Sequence, residues 1–410
     1  MSPRPRRPIA RHAPQRTPRA VGQLLSLVGI VMAVLLVSGG GVAAFVAADL
    51  ARTAADNSVE LEGQKELPPD IGAYDKGFDM LVIGLDECEP EYAEMFGKRC
   101  KGKDSEGKNN DVNLLIHVSN DPRRVTAISF PRDLMVDRPD CTDKDGQVHS
   151  GGYAKLNESY AAAGLSCVAK TVESITGQDI EFAASLTFGG VMEITDAVGG
   201  VEVCLASPMK DPHTGLNLSA GMHTVEGYWA LQFLRTRHGL VGESDLSRIQ
   251  NQQQYMTRLI NKLMSAETLG NVPLMLKLAD TGLRRSETST SLDPMRIVQI
   301  GLAIKEVPLS DIVFVQYPVF DDPSDSNRVI PDRASAKALW KAIEENRPLK
   351  VTHENSKNDG VVTETPAPGP TGAPTSTVEP SPGSTAVDLP GNVKGNDANT
   401  KTCSNGKQSR

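Results

Sequence analysis

MLVIGLD, residues 80–86, is the stretch from which the fold of this chain can be read. Met80 to Leu85 is a continuous apolar run, and a run of that length bounded by polar residues is a strand buried on both faces. It ends on Asp86, so the strand delivers a carboxylate at its C-terminal end. Val112 to Val118 and Val125 to Phe130 repeat the pattern, the second closing on Pro131-Arg132-Asp133. Strand patterns follow at 180–187, 201–205 and 312–317. Helical patterns separate them at 153–163, 166–176, 191–198, 226–234, 245–265, 268–305 and 334–343. Strands interleaved with helices over about 270 residues predict one α/β domain around a mostly buried sheet.

Outward from that core, the first twenty residues carry six arginines and no acid, and Val21 to Ala48 carries no charge. That uncharged run is long enough to span a bilayer, which needs about 20 residues. The basic flank before it and Asp49 after it put the N-terminus inside and the bulk outside. Cleavage near Ala44 is the alternative to a permanent anchor. The expected organisation is a cytoplasmic basic segment (1–20), a transmembrane helix (21–48), a stalk (49–77), the α/β domain (78–350) and a disordered Pro/Thr/Ser-rich tail (351–410).

Setting the six arginines aside leaves 37 Lys and Arg against 51 Asp and Glu, the wrong sign for a nucleic-acid binder. Six cysteines follow the apolar run, none in paired zinc spacing, and outside a membrane disulfides persist. They allow 15 connectivities; Cys88 with Cys100 and Cys141 with Cys167 are the expected pairs, with Cys204 a buried thiol. No phosphate loop, nucleophile elbow or HExxH spacing is present.

The chemistry concentrates in RTRHGLVGESDLSRIQNQQ, residues 235–253. Arg235 and Arg237 point the same way from an extended segment. Ser244 or Asp245 caps a helix on which Arg248 and Gln252 lie one turn apart. Three arginines and an amide at one spot suit a diphosphate, because a guanidinium fork matches phosphate oxygens and keeps its charge. A solvated basic rim is the competing interpretation.

Eight motifs in order, LVIGLD (81–86), NNDVNLLIHVS (109–119), VTAISFPRD (125–133), KLNESYAAAG (155–164), ITDAVGGVEV (194–203), DPHTGLNLSAG (211–221), ALQFLRTRHG (230–239) and DLSRIQNQQQ (245–254), resemble the LytR-CpsA-Psr family of envelope phosphotransferases. The resemblance implies a three-layer α-β-α domain with a central mixed sheet, preceded by one transmembrane helix. It implies transfer of a glycopolymer from a polyprenyl-diphosphate lipid to a peptidoglycan hydroxyl through a phosphodiester. It further implies Mg²⁺ held by Asp86 and Asp111, and a diphosphate clamp of Arg132, Arg235, Arg237, Arg248 and Gln252. Lys155 and Asn157 fall in a matching motif and join the substrate-binding set. Asp86 or Asp133 would accept the acceptor proton, and the prenyl chain would lie in an apolar tunnel. Three departures stand out. Asn109 and Asn251 replace arginines, and no arginine follows Asp86, leaving Lys98, Arg99, Lys101, Lys103 or Lys108 as substitutes. A non-catalytic polyprenyl-phosphate binder and a carrier-lipid pyrophosphatase therefore stay open as alternatives.

Overall fold

The structure is a computed structural model that describes residues 27–34, 41, 45, 48–49, 52–53, 55–64, 77–101, 108–269, 271–352, 359–363 and 386–407. The chain divides into two units, Met1–Arg52 and Thr53–Arg410. In the first, residues 27–34 are helical with Leu27, Ile30 and Val34 exposed. The expected span 21–48 otherwise lies mostly outside the described residues. Among those described, no helix is long and apolar enough to cross a membrane.

Along the second unit run β1 (Ser58–Val59), β2 (Phe78–Asp86), β3 (Asn109–Val118), β4 (Val125–Phe130), α1 (Ser159–Thr176), β5 (Phe182–Leu186), α2 (Phe188–Ala197), β6 (Val201–Ser207), β7 (Gly221–Val225) and α3 (Gly227–Arg235). Then come α4 (Asp245–Leu263), α5 (Val272–Arg284), β8 (Ser286–Ser289), α6 (Pro294–Ile304), β9 (Ile312–Gln316), α7 (Arg333–Glu344), β10 (Val361–Thr363), β11 (Gly395–Asp397) and β12 (Thr402–Asn405). The main sheet has the order β1-β8-β5-β2-β3-β4-β9-β11. It is mixed: β2 runs antiparallel to β3 and parallel to β5, and β4 runs parallel to β9. A smaller sheet has the order β7-β6-β12-β10.

Both faces of the main sheet are covered, which is why β2, β4 and β9 read as largely apolar runs. Alternate residues separate cleanly. Leu81, Ile83, Leu115, Ile128 and Val315 pack with Leu165, Val168 and Val172 of α1 and Leu339 and Trp340 of α7. Phe78, Leu114, Ala127, Phe182 and Phe314 pack on the opposite face with Met256 and Ile260 of α4 and Ile297, Ile300 and Ile304 of α6. The three-layer arrangement follows from that division.

Several expectations need correcting. Residues 152–155 pair with 135–138 as a strand rather than opening a helix, and α1 begins at Ser159 with a break at Ala163 and Gly164, where Gly164 takes φ +74°. Within 268–305 the polar segment Ser286–Ser289 is an interior strand. Cys204 is not a thiol: it is bonded to Cys403, alongside the expected Cys88–Cys100 and Cys141–Cys167 pairs. The segment beyond 351 is not wholly without order either. Residues 359–363 and 386–407 are described and supply β10, β11 and β12, with β11 paired to β9, β12 to β6 and β10 to β12, whereas 364–385 lies outside the described residues. Sheet pairing and one disulfide hold this tail where its own apolar content would not.

Just before β5, Glu181 is half-buried, its Oε2 accepting the Asp79 N–H at 2.8 Å. Burial first, with Asp79 and Asp179 adding repulsion, pushes its carboxyl up to about 7. A raised carboxylate contributes stability that is present below the unfolded-state value and lost as pH rises through the folded value. Glu181→Gln should therefore match the parent chain near pH 5 and exceed it at pH 8 by about 1–3 kcal/mol. Urea unfolding at the two pH values checks this; an equal gap at both would refute it.

Candidate functional site

The site is built on an irregularity between β2 and β3. Gly84 pairs with Val112, but Leu85 pairs with Asn110 and Asp86 with Asn109, so Asp111 is an extra residue with no partner on β2. Such a bulge interrupts the ladder and re-aims a side chain. Gly84 permits the close approach, since a Cβ there would sit 3.0 Å from the Val112 Cβ. Asn110, fully buried, fixes the bulge. Its Nδ2 donates to Asn113 Oδ1 at 2.6 Å and to the Leu156 carbonyl at 3.1 Å, and its Oδ1 accepts the Tyr160 N–H at 3.0 Å.

Asp111 thereby meets residues from three other segments. Arg132, in the turn after β4, donates Nη1 to Asp111 Oδ2 at 2.7 Å, and its Nε lies 3.3 Å from Asp133 and 3.6 Å from Asp245. The Arg132 carbonyl accepts the Asn157 N–H at 3.1 Å, and the Asn157 side chain reaches Asp111 Oδ1 at 3.5 Å. Lys155 pairs with Asp133 at 2.7 Å. Arg248, buried in the first turn of α4, donates to the Asp111 carbonyl at 2.9 Å and pairs with Asp245 at 2.6 Å. Burial works against the charge of Arg132, but Asp111, Asp245 and Asp133 outweigh it and hold the guanidinium protonated, above its ordinary value.

Ser244, not Asp245, caps α4, accepting the Ser247 N–H at 3.1 Å. Asp245 is left to bridge Arg132 and Arg248, a role the sequence did not suggest. Its place two residues after an exposed Gly-Glu pair gave no signal beyond a possible cap.

Arg235, the last residue of α3, lies over the rings of Phe188, 4.6 Å from the centroid, and Phe96, at 5.5 Å. Phe188 opens α2 directly after β5, the parallel neighbour of β2, so Arg235 sits at the same end of the sheet as Asp86. Phe96 belongs to the Cys88–Cys100 loop, which is docked rather than free: Glu89 accepts the Gly189 N–H at 2.6 Å, and Tyr92 donates to Glu193 at 2.6 Å. The 236–239 backbone is held by buried Asp211, whose Oδ2 accepts from Thr236 Oγ1 at 2.7 Å and from the Arg237 and Gly239 N–H groups at 3.0 and 3.2 Å. Burial tends to raise the Asp211 carboxyl, yet these donors and the His213 N–H hold it below its usual range. Arg237 reaches His238 at 3.3 Å. Gln252 donates to the Leu234 carbonyl at 3.0 Å.

Direct contacts thus join Arg132, Asp133, Lys155, Asn157, Arg248 and Asp111 in one network. Arg235 ends α3, Arg237 follows it, and Gln252 reaches that helix end from α4. Asn109 is half-buried and Asn251 is fully buried. Lys108 pairs with Glu87 at 2.7 Å, while Lys103 and the side chains of Lys98 and Arg99 lie outside the described residues.

Among the described residues no group of three or more His, Cys, Asp or Glu forms a closed metal site. Asp86 and Asp111, on neighbouring strand ends, offer a pair of carboxylates. Such a pair fits Mg²⁺, which takes one or two carboxylates and completes its shell with phosphate oxygens and water.

If Asn110 sets the bulge, Asn110→Ala should lower the unfolding free energy by about 2–4 kcal/mol, because it takes the Asn110 partner from the Tyr160 N–H and from the buried Asn113 Oδ1. Denaturant unfolding measures this, and a loss below about 1 kcal/mol would contradict the assignment.

Comparison with known proteins places this architecture. The LytR_cpsA_psr family model matches residues 44–345. The cell wall biosynthesis protein LcpA of Corynebacterium glutamicum is 30% identical over 307 residues, covering 70% of this chain and 58% of that protein. The polyisoprenyl-teichoic acid–peptidoglycan teichoic acid transferase TagT of Bacillus subtilis is 25% identical over 272 residues, covering 64% of this chain and 76% of that protein. A crystal structure of a Streptococcus agalactiae protein shares the fold, with a TM-score of 0.54 at 21% identity, covering 68% of this chain and 91% of that one. This chain spans about three fifths of the length of the corynebacterial relatives LcpA and LcpB. The chain belongs to the LytR-CpsA-Psr family.

Proposed function

We propose that this protein is a Mg²⁺-dependent phosphotransferase that moves a glycopolymer from a polyprenyl-diphosphate carrier to peptidoglycan. The observation that carries the proposal is the network of Arg132, Arg248, Asp111 and Asp245 at the bulged strand end, with Arg235 beside it. Family membership and the name of the TagT relative support the substrate class.

In the proposed reaction a peptidoglycan hydroxyl oxygen attacks the phosphorus that bears the sugar. The new P–O bond forms as the bridging P–O bond breaks, polyprenyl phosphate leaves, and the hydroxyl proton is released. Phosphoryl transfer asks mainly for positioning and neutralisation of developing charge. Arg132 and Arg248 would grip non-bridging oxygens from fixed positions, and Arg235 and Arg237 would add charge from the end of α3. Asp133, held by Lys155 and Arg132, is the proposed proton acceptor. Asp86 and Asp111 would hold Mg²⁺, which would neutralise diphosphate charge. The prenyl chain would enter the layer between the main sheet and helices α4 and α6, where Met80, Ile116, Met256, Met264 and Ile300 are only partly buried. The basic N-terminus and uncharged 21–48 segment fit an anchor that keeps this domain outside the membrane.

The test offers the purified protein Mg²⁺, a polyprenyl-diphosphate oligosaccharide and a peptidoglycan oligomer, with mass spectrometry for a phosphate-bridged adduct. Adduct formation should fall at least about 100-fold in Arg132→Ala and vanish with chelator. Phosphate release without adduct would make the protein a pyrophosphatase. Retained lipid without turnover would make it a carrier-binding protein.

A further inference from the structure

The last four C=O groups of a helix have no intrahelical donor, and at the end of α3 two of them are met by side chains from α4. Asn251 Nδ2 donates to the Phe233 carbonyl at 2.7 Å, and Gln252 Nε2 to the Leu234 carbonyl at 3.0 Å. These carbonyls lie directly before Arg235. Asn251 is itself oriented from the far side: Ser404 of β12, fully buried, donates Oγ to Asn251 Oδ1 at 2.5 Å. An amide serves both contacts at once, accepting from the tail and donating to α3, which a guanidinium at this position would not do.

The rest of the tail follows the same segment. The Val241 N–H donates to the Asn405 carbonyl at 3.0 Å, and the Lys407 N–H to the Gly239 carbonyl at 2.8 Å. Gln254 Nε2 donates to the Cys204 carbonyl at 2.8 Å and the Thr402 carbonyl at 3.3 Å. The Gly360 N–H donates to Gln250 Oε1 at 2.9 Å. A Cβ on Gly360 would come within 2.7 Å of the Ser247 carbonyl, next to Arg248. The tail therefore reaches the residues before Arg235 only through Asn251, and contacts the chain directly just after Arg237 and on either side of Arg248.

We propose that β12 is a positioning element of the arginine clamp, with Asn251 and Ser404 as positioning residues that fix the end of α3 and hence the origin of Arg235. The proposal rests on the functional reading above for what the clamp binds.

The test titrates magnesium pyrophosphate into the full chain by calorimetry, comparing Asn251→Ala, Ser404→Ala, their double variant, Arg132→Ala and Val361→Ala. Each of the first two should weaken binding up to about tenfold, the worth of one neutral hydrogen bond. The double variant should be little worse than either single one, since both act through one contact chain. Val361→Ala, a buried truncation in β10, should lose stability but bind as the parent does. If it weakens binding equally, the tail is merely structural and the proposal falls. Parent-like binding by Asn251→Ala and Ser404→Ala, with binding lost in Arg132→Ala, would overturn the positioning role and leave the clamp standing. Binding that survives Arg132→Ala would sink the clamp itself, and the positioning role with it.

Discussion

Where β3 runs two residues past one on β2, the sheet gains a carboxylate that regular pairing would have committed to a face of the core. Asp111 is that extra residue, and its contacts reach the β4 turn, the segment before α1 and the first turn of α4. The bulge survives because Asn110 makes three hydrogen bonds in a site without water access. A buried amide with its partners in place is a rigid joint, and losing one partner leaves the others unmet. The position of Asp111, and through it Arg132 and Arg248, thus depends on a polar contact inside the core rather than on the surface loops.

The legible parts of the fold were those with a period. The runs 80–86, 112–118 and 125–130 announced buried strands because they are predominantly apolar, and the two-sided core explains why. Ser286–Ser289 gave no such signal: Ser286, Thr288 and Ser289 are buried in the sheet with hydroxyls rather than methyl groups. The tail strands were hidden for a related reason, since Gly395–Asp397 and Thr402–Asn405 pair through their backbones and carry few apolar side chains. Their partners in α4 were equally obscure. Gln250, Asn251, Gln253 and Gln254 are all buried, and amides on every side of a helix read as solvent-facing until the backbone they bond is known. In the site, residue identities were visible as motifs. Asp245 was not, because its role exists only when two arginines from distant segments converge on it.

The paired charges give the clamp its division of labour. Arg132, Lys155 and Arg248 face Asp111, Asp133 and Asp245 at 2.6–3.6 Å. Three cations against three carboxylates leave that network close to neutral, so under the proposed function its contribution to binding a diphosphate would be geometry more than net attraction. The guanidinium planes are held in place before any phosphate arrives, and the entropy of ordering them is lost on folding rather than on binding. Under the proposed function, further positive charge at this end of the sheet would come from Arg235 and Arg237.

That makes the end of α3 a sensitive place. A helix C-terminus carries a partial negative charge from its unpaired carbonyls, an unfavourable neighbour for a diphosphate. Here the Asn251 and Gln252 amides meet two of those carbonyls, and the rings of Phe188 and Phe96 lie against the Arg235 guanidinium. A ring face steadies a guanidinium without neutralising it. Under the proposed function the ring-stacked Arg235 would face a ligand from the end of α3, while the carboxylate-paired arginines would supply the frame in which that ligand is aligned.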